Sequence, residues 1–149
     1  MWKLRKKTVL PLLLLLLATV VLSWSAATWK SDVAFVYPDI TAFNSTTAKK
    51  RACRVPEEVA KNMTTRALAE TVLNYPFLLE MYAFDSADLW FQGFKSLPMV
   101  NELCARPDCL PVLRAEVLKA LEEENDDLYN DDLYYYITLI GCMERNAQK

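Results

Sequence analysis

From Pro56 to the C-terminal region the apolar positions recur every three or four residues and show no strand-like alternation, so the pattern predicts helices. Pro56 followed by Glu57 and Glu58 opens the first helix, because proline gives up no needed N–H in a first turn and acids suit the positive end of the helix dipole. Thr64 or Thr65 caps the next, where Leu68 with Val72 and Ala69 with Leu73 build an apolar face at i, i+4 spacing before Tyr75-Pro76 stops it. Phe77 to Tyr82 form a third apolar segment. Asp85 to Asp88 then read as the cap of a fourth helix that carries Leu89, Trp90, Phe94 and Leu97 and ends at Pro98. A short helix over 99–106 is broken by Pro107, after which Leu110, Leu113, Val117 and Leu121 form a continuous stripe. The last helix places Leu133, Tyr136, Ile137, Ile140 and Met143 at helical spacing. The expectation is an all-α fold, a compact domain of about six short helices whose successive pairs can stack as in a small solenoid.

Ahead of this domain the pattern changes. Lys3, Arg5, Lys6 and Lys7 precede an apolar run from Val9 to Leu22, and small residues Ser25, Ala26 and Ala27 follow, the layout of an export signal. The run is 14 residues long, short of the ~20 that span a bilayer, which favours cleavage after Ala27. Extended from Thr8 to Ala27 the segment is long enough to anchor, with Trp24 and Trp29 suited to a membrane interface and the basic N-terminus inside. Both outcomes place the domain outside the cytoplasm, secreted or extracytoplasmic in one case and membrane-anchored in the other. The organisation expected is therefore a signal segment over 1–27, a linker over 28–52 and a helical domain over 53–149. The linker is polar at Asn44 to Thr47 and at Lys49 to Arg51, although Val33 to Tyr37 can pack as an extended arm. Asn44 and Asn62 match the N-glycosylation acceptor pattern.

Residues 1–27 hold four basic residues and no acidic one, so without them the formal charge moves from −2 to −6. An acidic chain is unsuited to non-specific nucleic-acid binding or to electrostatic adhesion to anionic lipid. All four cysteines lie in the exported part. In an oxidising compartment their even number predicts two disulfides with three possible connectivities, of which Cys104 with Cys109 across the Pro107-Asp108 turn and Cys53 with Cys142 stapling the domain ends is favoured. Free thiols are the alternative, and the spacing fits poorly with a zinc site.

The frame Pro56-Glu-Glu-Val59, Met63-Thr-Thr65, Leu73-Asn-Tyr-Pro76, Met81-Tyr-Ala-Phe84, Gly93-Phe94 and Glu102-Leu103 resembles a family of small exported all-helical bacterial proteins described only as uncharacterised. The resemblance covers about residues 55 to 115. It implies a secreted bacterial helical domain and brings no catalytic residues with it.

The chain contains no histidine, which removes Ser-His and Cys-His nucleophile pairs and the helical zinc-hydrolase motif. With two glycines, neither in a phosphate-loop context, nucleotide binding has no basis either. Carboxylate-only chemistry needs two acids about 5 to 10 Å apart across a cleft, for which Asp85, Asp88 and Glu80 are the candidates, although helix caps and a solvated position explain them better. The acidic run from Glu122 to Asp132 lacks the glycine of an EF-hand loop. Tyrosines crowd at Tyr129, Tyr134, Tyr135 and Tyr136, and one helix cannot bury three in succession, so Tyr134 or Tyr135 should face outward. The expected function is that of an exported non-enzymatic domain binding a protein or a cell-envelope component through Tyr129, Tyr134 and Tyr135, without cofactor or metal. The alternatives are a carboxylate-dependent hydrolase acting on an envelope glycan and a membrane-anchored helical domain.

Overall fold

The computed structural model describes residues 30–123 and 130–147, so the N-terminal export segment and Tyr129 lie outside the described residues. Helix α1 spans Thr46–Ala52, α2 Glu57–Lys61, α3 Thr65–Leu73, α4 Ala87–Phe94, α5 Pro98–Cys104, α6 Cys109–Glu123 and α7 Asn130–Ala147. Two 3-10 turns, Ile40–Ala42 and Leu78–Ala83, complete the regular structure, and no strand longer than an isolated bridge occurs among the described residues. The protein is all-helical, with no described helix long and apolar enough to cross a membrane.

Local chemistry sets the helix starts. Ser45, Thr64 and Ser86 each accept the N–H of the residue three positions on, at 3.2 Å in every case, which satisfies a donor that the first helical turn leaves orphaned. Pro98 sits in the first turn of α5, where its missing N–H is harmless. Helix α3 is the centre of the domain: seven of its nine residues are buried, and it packs against both α5 and α6. Helix α7 in turn packs on α6, on α4 and on the Leu78–Ala83 turn. Polar ties fix the corners. The Thr65 hydroxyl donates to Asp108 at 2.9 Å, joining the start of α3 to the turn before α6. Arg106 pairs with Glu102 and donates to the carbonyl oxygens of Lys61 and Met63 at 3.2 and 3.3 Å, closing the α2–α3 corner onto the end of α5.

The segment expected to be a linker is folded from Ser31 onward, where the compact unit begins. Ser31 donates its N–H to the Asn62 carbonyl at 2.6 Å and accepts the Thr64 N–H at 2.8 Å, forming a parallel bridge with Met63. Asp32 then accepts from Arg66 and from the Thr64 hydroxyl, and the Phe35 N–H donates to the Thr71 hydroxyl at 2.9 Å. The Tyr37 ring meets Tyr75 at 5.8 Å between centroids, edge-on. Residues 31–43 thus form a strap along α3, and the polar stretch after it is helical because Ser45 caps α1. Asn44 and Asn62 both lie at the surface.

Two further expectations are corrected. The buried stripe of α7 is Tyr135, Leu139, Cys142 and Met143, whereas Leu133 and Ile137 are exposed and Tyr136 and Ile140 only partly covered. The helix is apolar on most of its circumference, and contact with α4 selects which face turns inward. The four cysteines are free thiols, so neither the Cys104–Cys109 nor the Cys53–Cys142 bridge is formed. Cys53 packs at the end of α1 near Tyr37 and Tyr75, while the Cys142 thiol lies 3.6 Å from the Ala87 carbonyl oxygen at the start of α4. Cys104 and Cys109 are set into different helices by the intervening turn.

Candidate functional site

The segment from Phe77 to Phe84 separates two aromatic features. On one side the Tyr82 ring stacks on Tyr134 of α7, with centroids 6.0 Å apart and planes 14° from parallel. Both rings are more than half exposed, and Ile137, one turn beyond Tyr134 on the same face, is 61% exposed. Leu133 borders this stripe. Among the residues singled out from sequence, Tyr134 stands at this surface. Tyr135 does not. Its side chain is 0% exposed and meets Trp90 edge-on at 5.6 Å, because the 100° step along the helix turns it into the core. Tyr129 falls outside the described residues. Tyr82 and Ile137 are the partners that the sequence reading did not assign to the surface, since a contact between a 3-10 turn and a distant helix has no local period.

On the other side of the segment lies an open cleft of about 240 Å³ between the Leu78–Ala83 turn, α4 and Lys50 of α1. Its floor is a set of rings in mutual contact: Trp90 stacks on Phe94 at 4.9 Å, and Tyr75 meets both Phe94 at 5.8 Å and Phe77 at 5.6 Å. Burial pushes the Tyr75 phenol up to about 12, with the Glu80 carboxylate adding to the shift. At the mouth the Lys50 ammonium lies 2.8 Å from Glu80 and 5.9 Å from the centre of the Phe77 ring. Gly93 borders the cleft, and a Cβ there would meet nothing within 4 Å.

The acids proposed for catalysis are held in ion pairs or open to solvent. Asp88 is bound by Arg145 at 2.7 and 3.1 Å, Glu80 by Lys50, and Asp85 is exposed. A different pair, Glu70 of α3 and Glu116 of α6, lines a smaller cleft of about 190 Å³ together with Asn74, Lys119 and Tyr136. Among the described residues no group of three histidine, cysteine, aspartate or glutamate side chains is placed to hold a metal. Burial raises all four thiols above their ordinary range, Cys104 to about 11, which keeps them out of the reactive thiolate form. No protein-family model matches the chain, and neither a curated protein nor a solved structure matches it.

Proposed function

We propose that the chain is an exported, non-enzymatic binding domain whose partner is a protein or a component of the cell envelope. The observation that carries this reading is the exposed Tyr82–Tyr134 stack with Ile137 and Leu133 beside it, since contiguous aromatic and aliphatic side chains at a surface are the usual substance of an interface core. The basic and apolar N-terminal segment supports export, and so does the resemblance of residues 55 to 115 to exported helical proteins. Export carries the four thiols into an oxidising compartment, where burial rather than bridging shields Cys53, Cys109 and Cys142 in this fold.

Two measurements test the reading. Intact mass of the protein from medium and membrane fractions reports whether residues 1–27 are removed, and a full-length species confined to the cytoplasm overturns export. A photo-crosslinking residue at position 134 should give a discrete adduct in cells, absent when the same residue replaces the exposed Leu118 on α6. Identical patterns from the two positions would remove the case for this surface.

One observation favours a second reading, a carboxylate-dependent hydrolase of an envelope glycan: Glu70 and Glu116 share one cleft. The binding reading is preferred because that cleft, at about 190 Å³, is below the size usual for small-molecule sites. Release of soluble sugar from envelope material by the wild type but not by Glu70→Gln or Glu116→Gln would reverse the preference.

A further inference from the structure

The cleft beside the Lys50–Glu80 pair has the composition of a receptor for an organic cation. Aromatic faces carry negative charge density and attract ammonium groups, and a carboxylate at the mouth completes the complementarity. The protein already demonstrates this with its own residue, because Lys50 places its ammonium near the face of Phe77 while pairing with Glu80. The resident lysine is held loosely. Its side chain is 46% exposed and that of Glu80 is 38% exposed, and an ion pair so open to water contributes little to stability. The ring floor behind it is different: Tyr75, Trp90 and Phe94 are buried and fixed by their mutual contacts. A preformed floor with a displaceable occupant is what a competing ligand requires.

We propose that this cleft receives a lysine side chain of a partner protein, which takes the place of Lys50 between Glu80 and the ring of Phe77. The inference rests on the binding reading and names the partner chemistry for it. A lysine fits because the resident group is itself a primary alkylammonium, and because the chain without its N-terminal segment carries a formal charge of −6, which draws a basic partner surface. The space beside Gly93 admits the aliphatic stem of the incoming side chain.

The test uses n-butylammonium chloride as the probe, with backbone amide NMR shifts of the full chain as the readout and sodium chloride at equal ionic strength as the reference. Wild type should show saturable shifts confined to Phe77, Glu80 and Gly93. Lys50→Met removes the resident competitor and should tighten binding by up to about five-fold, the most an exposed ion pair allows. Glu80→Gln should lose saturable binding, as should Gly93→Leu, whose side chain fills the cleft from an open position. Unchanged affinity in Lys50→Met, retained binding in Glu80→Gln, or shifts scattered over the surface would each overturn the proposal. Because the probe is a small molecule, this result is independent of the crosslinking result at position 134, so failure of the cleft and failure of the binding reading are told apart.

Discussion

The hydroxyl of Tyr37 donates to the backbone carbonyl of Thr71 at 2.8 Å, binding the strap to the last turn of the central helix. Thr71 answers with its own side chain: its hydroxyl donates to the Ala67 carbonyl at 2.6 Å and accepts the Phe35 N–H at 2.9 Å. One fully buried threonine therefore satisfies two polar groups of a segment 34 to 36 residues away in sequence.

Thr71→Val keeps the shape and removes the acceptor, leaving the Phe35 N–H without its partner. A part-buried donor left unpaired costs about 1–3 kcal/mol. Denaturant unfolding should register that loss, and hydrogen exchange at Phe35 should accelerate more than exchange in α6. Equal acceleration at both places would mean that the strap has no local stability of its own.

Tyr135 presents the reverse situation. Its hydroxyl is buried and has no hydrogen-bond partner among the described residues, and burial drives the phenol well above its ordinary ionisation range. Tyr135→Phe discards the orphaned hydroxyl while keeping the edge contact with Trp90, so the variant should be as stable as wild type or more stable by about 1 kcal/mol. Tyr135→Ala should instead lose about 3–5 kcal/mol through the cavity it leaves. Melting curves of both variants decide, and marked destabilisation by phenylalanine would show that the hydroxyl has a partner.

The strap should also loosen in acid. Hydrogen bonds from Arg66 and from the Thr64 hydroxyl hold the Asp32 carboxyl below its ordinary range. The folded value is thus lower than the unfolded one, and between the two the unfolded chain binds the extra proton. The contribution is complete above the ordinary value of 3.8 and is lost as pH falls through the lowered folded value. Stability of wild type measured from pH 6 downward should begin to approach that of Asp32→Asn below about pH 4 and meet it only below the lowered folded value. A constant gap between the two curves would exclude Asp32 as the titrating group.

With its thiols free and mostly buried, the native protein should resist alkylation at neutral pH in the absence of reductant. Unfolding in denaturant, still without reductant, should then add four alkyl groups by mass. Cys104, the half-buried one, is the most open to reagent and should react first, but only at high pH, since burial pushes its thiol up to about 11 and the thiolate is the reacting form. Fewer than four additions would reveal a bridge.

Much of the fold could be read before the structure because its signals are local. Thr64 with the Leu68–Val72 spacing, and Ser86 ahead of Trp90 and Phe94, mark helices through caps and periods that need only a few neighbouring residues. Helix α1 escaped for the opposite reason: Thr46 to Ala52 has no apolar stripe, and only the Ser45 cap and its neighbours hold it. In α7 the difficulty was excess, since Tyr134, Tyr135, Tyr136, Ile137, Leu139 and Ile140 offer an apolar face in almost every direction. Which face turns inward depends on Trp90, 45 residues earlier, and that information is tertiary. The aromatic cleft shares this character, as Lys50, Glu80 and Phe94 come together only once α1, the 3-10 turn and α4 have packed.

The strap also determines how the domain answers to tension. The chain enters the fold at Ser31, whose two backbone bonds to the α2–α3 corner come first, followed by the Asp32 cluster and then by the two ties to Thr71. A pull directed away from α3 opens these one at a time, whereas a pull along the helix strains them together. Held by its N-terminus, the domain would yield first at the strap, whose residues 31–43 reach roughly 45 Å when fully extended at 3.3–3.6 Å per residue.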